Sequence, residues 1–290
     1  MRVGLQLPFL TWPEGPEGLG STLAAIARTA DEAGFYSLWL MDHFFQIPLA
    51  GPAEMDMLEC YSALSFCAAH TKRVKLGAMT TGVIYRNPGV LVKTATTLDV
   101  LSGGRSYFSI GAAWFEREAR GLGVGFPPIS ERFEMLEETL RIAKQMWSGD
   151  AGPFEGKHYQ LAETLCRPLP LSKPHPPILV AGAGEKKTLR LVAQYADACN
   201  IIGDAQVIGP KLEVLRRHCD DVGRDFDDIE ITSLSTFLAQ GSRSPAETVA
   251  HCKDLAAAGV RQVIFVTADA NELTPLRDLG REVIPAVASL

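Results

Sequence analysis

In SLWLMDHFFQ, Ser37 to Gln46, a strand-like apolar run ends on an acid and an imidazole, Asp42 and His43, and then turns aromatic again. Histidine has an unperturbed pKa of ~6.5, so an imidazole placed there can give or take a proton near neutrality. A plainer reading has Asp42 capping the next helix and His43 only hydrogen-bonding. A second stretch, PPILVAGAGEKKTLRL, carries a strand into Gly182-Ala183-Gly184, and the spacing predicts a helix opening with Glu185, Lys186 and Lys187. Backbone N–H groups at a helix start, backed by the helix dipole, form an anion site. No third glycine follows at the dinucleotide spacing and no GxxxxGK[ST] occurs, so a phosphate is indicated without a nucleotide fingerprint.

Other chemistries find no support. Metal-dependent barrel hydrolases gather histidines at strand ends, whereas the first strand ends Leu7-Pro8 and the chain has no HxH, so no metal is expected. Schiff-base chemistry wants a desolvated lysine in a strand, and ACNIIGD has none. There is no GxSxG. The six cysteines form no CxxC pair and read as reduced, buried or half-buried thiols. What survives is a pocket with one acid, one imidazole, aromatics and a phosphate cradle, which is what a bound redox cofactor requires.

Such a pocket needs elements to position it. Strand patterns occur at Val3 to Pro8, Ser37 to Met41, Val74 to Thr81, Arg105 to Gly111, Pro177 to Ala181, Ala198 to Ile202, Ile229 to Thr236 and Gln262 to Thr267. Helical periodicity lies between them, clearest in ERFEMLEETLRIAKQMW, where Phe133, Leu136, Leu140, Ala143 and Trp147 share a face. Ser244, Pro245 and Glu247 form a capping box, Ser130 precedes Glu131 at another start, and Ala33-Gly34 and Ala258-Gly259 end helices. Eight strands, each followed by a helix, in about the ~250 residues typical of the fold predict a single (β/α)₈ barrel domain over residues 1–290. A doubly wound sheet would show GxGxxG after its first strand. Between Ser148 and Pro176, FEGKHYQL predicts a hairpin, and His158 and His175 read as structural.

In such barrels the active site lies where the strands end, which places Asp42 and His43 at the pocket. The first, second and fourth strand-to-helix loops bring Phe9, Trp12, Phe44, Phe45, Trp114, Phe115 and Phe126, a rim suited to a flat apolar ligand. The 290 residues are 47% hydrophobic and carry 28 basic against 34 acidic side chains, a formal charge of -6 without a basic run. Nucleic acid and anionic membrane are therefore not expected partners. No apolar run approaches the ~18 residues of a membrane span, and the N-terminus reads as a strand without signal-peptide features, so a cytoplasmic protein is expected.

Over nearly its whole length the chain resembles the luciferase-like monooxygenase superfamily, and specifically its deazaflavin-dependent oxidoreductases that use coenzyme F420. SLWLMDHF, KLGAMTTGVIYRNPGVLVKTATTLDVLSGGR, SIGAAWFEREARGLGVGFPPISERFEMLEE and VAGAGEKKTLRLVAQYADACN carry the resemblance, and the C-terminal part matches more loosely. The resemblance implies the same barrel, with Asp42 and His43 beside the deazaflavin ring and His43 the general acid or base. It implies cofactor contacts from Met79, Thr80 and Thr81, around a non-prolyl cis peptide in LGAMTT, from Trp114, and from Gly182, Ala183, Gly184 and Glu185 at the phosphate. Trp114 stands where sugar-phosphate dehydrogenase members place a catalytic carboxylate, and Glu116, two positions on, is the nearest candidate for a second acid. The implied reaction is hydride transfer between F420 and a small organic substrate, His43 handling a proton and Asp42 fixing its tautomer. FMN in a monooxygenase, and a non-catalytic flavin- or deazaflavin-binding protein, are the alternatives. Apolar residues on more than one face of the helices Leu58 to Ala69 and Gly89 to Leu101, with the family's habit, imply a homodimer.

Overall fold

The computed structural model describes residues 1–240 and 243–290, and in it the strands close on themselves. β1 (Arg2–Leu7), β2 (Ser37–Leu40), β3 (Lys75–Ala78, resuming as Thr81–Gly82), β4 (Phe108–Gly111), β5 (Ile178–Ala181), β6 (Ala198–Asn200), β7 (Glu230–Ser235) and β8 (Gln262–Val266) pair in parallel in that order, and β8 returns to β1. The two halves of β3 make the closure. Leu76 exchanges backbone hydrogen bonds with Arg105 and Tyr107, while Thr81 and Gly82 pair with Ile110 and Gly111. The expected strand Val74 to Thr81 is thus one strand broken at the Met79–Thr80 peptide, which is cis.

Period-two alternation sorts each strand between two cores. Val3, Leu5, Leu38, Leu40, Leu76, Phe108, Ile110, Ile178, Val180 and Phe265 face outward into the main core beneath the helices. Trp39, Met79, Tyr107, Leu179, Ala198 and Ile264 point inward and form a separate cluster in the barrel lumen. Trp39 is fully buried there, with its ring 5.2 Å from that of Tyr107. A Cβ on Gly77 would lie 2.3 Å from the Trp39 ring, so the third strand must be bare at that position. The indole N–H of Trp39 donates to Ser37 Oγ at 2.7 Å, and Gln262 Nε2 donates to the same oxygen at 2.6 Å. Ser37 therefore satisfies polar groups from two neighbours inside an apolar lumen, where an unmade bond would be costly.

The helices follow the strands: α1 (Gly15–Ala33), α2 (Cys60–Ala69), α3 (Pro88–Ser102), α4 (Glu116–Gly121), α5 (Ile129–Ser148), α6 (Thr188–Tyr195), α7 (Ala205–Val222) and α8 (Pro245–Ala257). The Ser244–Glu247 capping box forms as expected, and Gly34 takes the left-handed cap of α1. α5 starts at Ile129 after Pro128, one residue before the expected Ser130. Leu136, Leu140, Ala143 and Trp147 on its apolar face are buried, while Phe133 at its first turns is only half-buried. The hairpin after α5 pairs Phe154–Glu155 with Gln160–Leu161. Glu138 of α5 accepts the amides of Lys157, His158 and Tyr159 at 2.7 to 3.0 Å, and His158 Nε2 meets Glu134 at 2.7 Å. His175 stacks on Trp147 at 5.5 Å. Both histidines hold the chain, although His158 does so beside the start of α5, in a depression with Ile84 and Phe126 from the loops after β3 and β4.

Because Trp39 fills the lumen and no flexible neighbour can replace an indole, Trp39→Ala is expected to destabilise the protein by ~3–5 kcal/mol. Urea unfolding followed by circular dichroism measures this, and a loss below ~1 kcal/mol would mean that the lumen collapses around the void.

Candidate active site

Asp42 and His43 leave the end of β2 side by side, yet their side chains go to different partners. Asp42 is buried and takes both N–H groups of the Arg86 fork at 2.8 Å, with the Gly82 amide at 3.1 Å. Arg86 also reaches Glu59 at 2.5 Å and lies 5.0 Å from the Tyr61 ring. Glu59 is itself the N-cap of α2, accepting the Ser62 amide at 2.7 Å. One guanidinium thus ties the loops after β2 and β3 to the start of α2. Burial raises the Asp42 carboxyl above its ordinary value, while the Arg86 bonds and the Gly82 amide work against it. Burial acts the same way on Glu59, but there the Ser62 and Arg86 bonds prevail and the carboxyl is lowered.

The carboxylate that meets His43 is Glu118, not Asp42. His43 Nδ1 lies 3.1 Å from Glu118 Oε1, and the Tyr85 hydroxyl donates to that same oxygen. Glu118 Oε2 accepts the amides of Phe44 at 2.5 Å and Phe45 at 2.8 Å. The expectation that Asp42 fixes the imidazole is therefore corrected, because its oxygens are already occupied by Arg86 and Gly82. Burial would raise the Glu118 carboxyl, yet the bonds from His43, Phe45 and Tyr85 outweigh it and hold the group below its ordinary value. Tyr85 moves the other way, raised by burial and by its carboxylate partner.

Glu116, the expected second acid, points away. It is exposed and pairs with Arg120, one helical turn on, at 2.7 Å. Two positions along a helix rotate a side chain by ~200°, so Glu116 and Glu118 cannot share a face. The signal for Glu118 lay in FEREARGL: Phe115, Glu118 and Ala119 stand at i, i+3 and i+4, the spacing of a buried stripe. All three are buried. An acid on an apolar stripe is the mark of a buried, partnered carboxylate.

Above these groups lies a cleft of about 370 Å³ at the C-terminal end of the barrel, lined by Asp42, His43, Tyr85 and the Met79–Thr80–Thr81 segment among others. Small residues, Gly111, Ala112, Ala113, Ala181 and Gly182, form one wall. Gln6 donates to the Met79 carbonyl at 3.3 Å, Ser109 donates to Thr80 Oγ1 at 3.3 Å, and Thr81 Oγ1 meets the Tyr61 hydroxyl at 2.8 Å, so the floor is held from below. The imidazole of His43 stands edge-on to Trp114 at 5.6 Å and Phe115 at 5.9 Å. The rim differs from the expected aromatic ring: Trp12 and Phe115 are buried, Phe44 packs on Tyr85, and Phe126 stacks under Arg132. Trp114 is instead joined at the rim by Ile129, Phe133 and Ile202.

Gly182 opens the turn after β5 with φ of 123°, in the left-handed range that favours glycine, and its amide donates to the Asn200 carbonyl at 3.0 Å. Residues Gly184 to Lys187 are exposed, and α6 begins only at Thr188, later than the expected Glu185. The Glu185 carboxylate turns to Lys211 at 2.7 Å, so its contribution to the turn is backbone. Lys187 Nζ lies 5.4 Å over the Phe133 ring, which brings a cation to the cleft edge. A larger depression of about 890 Å³ lies at the other end of the barrel among Arg2, Arg73, Arg216 and Arg261. Those guanidiniums are engaged by Glu230, Asp31, the Phe226 ring and Asp227, so it offers little to a ligand.

The depressed Glu118 carboxyl has a pH consequence. Its ionised form stabilises the fold above the ordinary carboxylate range, and that contribution is lost as pH falls through the folded value. Glu118→Gln is expected to cost ~1.5–3 kcal/mol at neutral pH. Urea melts of the two proteins should converge only as the pH is lowered below the ordinary carboxylate value of ~4.3 and through the depressed folded value, and a gap that stays constant across that acid range would contradict an ionised Glu118.

The sequence matches the model of the luciferase-like monooxygenase family over residues 1–281. An F420-dependent glucose-6-phosphate dehydrogenase of Kineococcus radiotolerans is 34% identical over 164 residues, 55% of this chain and 46% of that protein. The chain thus matches about half the length of that relative. Among solved structures, the coenzyme F420-dependent tetrahydromethanopterin reductase from Methanopyrus kandleri superposes with a TM-score of 0.80 at 17% identity, covering 98% of both chains. The oxygenating constituent of 3,6-diketocamphane monooxygenase from Pseudomonas putida, in complex with FMN, gives 0.77 at 16% identity over 99% of this chain and 98% of that one. With a match spanning nearly all its residues, a barrel of the same architecture and the cleft at the expected end, the chain belongs to the luciferase-like monooxygenase family.

Proposed function

We propose that the chain is an oxidoreductase that transfers hydride between coenzyme F420 and a small organic substrate. One observation carries this reading: an imidazole anchored at Nδ1 by a buried carboxylate lines a cleft that also holds a wall of small residues running into an exposed glycine turn. The deazaflavin, when bound, supplies the two-electron chemistry, and the protein orients it and manages protons. The cleft fits a flat ring. Gly111, Ala112, Ala113 and Ala181 project nothing long into it, and its volume sits at the lower end of the ~300–1,000 Å³ usual for small-molecule sites. Met79, Thr80, Thr81 and Trp114 would border the ring, and the Gly182, Ala183, Gly184 and Glu185 backbone, with Lys186 and Lys187 beside it, would hold the phosphate.

In this reading Glu118 takes the role first assigned to Asp42. A carboxylate at Nδ1 favours the tautomer with the proton there, which leaves Nε2 to accept a proton from a substrate hydroxyl or, once protonated, to donate one to a substrate oxygen. Asp42 positions: through Arg86 it fixes the loop on which His43 stands. Glu116 has no part. The expected homodimer and cytoplasmic location belong to the same proposal, supported by Phe66, Val90 and Leu101 left exposed on α2 and α3, and by the absence, among the described residues, of a helix long and apolar enough to cross a membrane.

FMN offers the same flat ring and phosphate, and the FMN-bound neighbour keeps it as the second reading. Fluorescence titration with F420 and with FMN separates the two: F420 is expected to bind the more tightly. Tight FMN binding with oxygen uptake in the presence of a reductase would overturn the proposal. His43→Ala is expected to lower turnover by ~10²–10⁴-fold while leaving cofactor affinity unchanged. A reduced cofactor that no imine, enone, ketone or quinone oxidises would favour the non-catalytic binding protein.

A further inference from the structure

The polar atoms around the cleft are nearly all committed. Both oxygens of Asp42 are held by Arg86 and Gly82, the Tyr85 hydroxyl donates to Glu118, and His43 Nδ1 faces the same carboxylate. Among the described residues that line the cleft there is no lysine or arginine. The lysines at the Gly182 turn stand at its edge and serve the cofactor phosphate in the reading above. An anionic substrate would therefore lose its hydration without gaining a counter-charge, which is costly.

The rim has the opposite character. Trp114, Ile129 and Ile202 are 55%, 51% and 61% exposed, and all three border this one cleft. They come from three separate places, the loop after β4, the first residue of α5 and the loop after β6. Large apolar side chains gathered at the mouth of a concave site mark a ligand surface. Trp114 also touches the His43 ring edge-on, so the apolar surface adjoins the imidazole.

We propose that the substrate is a neutral, largely apolar carbonyl compound or the matching alcohol, its oxygen on His43 Nε2 and its hydrocarbon body against Trp114, Ile129 and Ile202. The proposal rests on the hydride-transfer reading and gives it a substrate class. It also separates this chain from the sugar-phosphate chemistry named for the Kineococcus relative.

Calorimetric titration of the protein, free and loaded with F420, with 2-butanone, 2-octanone and glucose 6-phosphate tests it. 2-Octanone is expected to bind at least about tenfold more tightly than 2-butanone, since the rim removes several methylenes from water. Glucose 6-phosphate should give no saturable heat. Trp114→Ala combined with Ile202→Ala, both at exposed positions, should abolish the chain-length gain. Equal affinities for the two ketones, saturable glucose 6-phosphate binding, or a gain that survives the double variant would each overturn the proposal. So would a change of oligomeric state in that variant with ketone affinity intact, which would make the rim a protein interface. Failure of F420 to bind, with the chain-length gain preserved on the free protein, would sink the cofactor reading while supporting the apolar substrate surface.

Discussion

The site depends on one buried carboxylate. Glu118 receives the amides of Phe44 and Phe45, the Tyr85 hydroxyl and the His43 imidazole, four donors on two oxygens. Those donors come from the loops after β2 and β3, while the acid sits on a helix after β4. Without it the loop amides would be unpaired and the imidazole free to rotate. Charge-assisted bonds of this kind are roughly twice as strong as neutral ones, which explains why an ionised acid is retained at a fully buried position. The Asp42–Arg86–Glu59 set does the complementary work on the other side, so the mouth of the barrel is braced by two separate polar clusters.

The barrel beneath supplies rigidity of a different kind. Its outward residues merge with the helices into one core, and its inward residues form a second, smaller one around Trp39. The interruption of β3 lies where that lumen meets the cleft, and Gln6 of β1 holds the Met79 carbonyl while Ser109 of β4 holds the Thr80 hydroxyl. Precision at the site therefore derives from strands, while variability is left to the rim.

Much of this was legible in the residues. The eight strands fall within a few positions of their observed bounds because most are apolar runs closed by glycine, proline or a charge, and the strand-end rule then places Asp42 and His43 at the mouth. What escaped was pairing. Adjacent residues in sequence suggested adjacent roles for Asp42 and His43, but successive side chains diverge where a strand ends, and their partners lie 44 and 75 positions away. Proximity to Trp114 points to Glu116, whereas helical phase points to Glu118. Composition gives no direction to a loop side chain: of the aromatics expected at the rim, Trp12 and Phe115 are buried and Phe44 packs on Tyr85.

Trp114 has one further consequence. Trp12, Trp39 and Trp147 are all buried, so the fourth indole is the solvent-facing one, and it stands at the lip of the cleft beside His43. Its emission should be red-shifted relative to the other three and selectively reached by a polar quencher. The protein therefore carries a native optical probe at the lip of the candidate cleft, one that would read its occupancy without label or turnover.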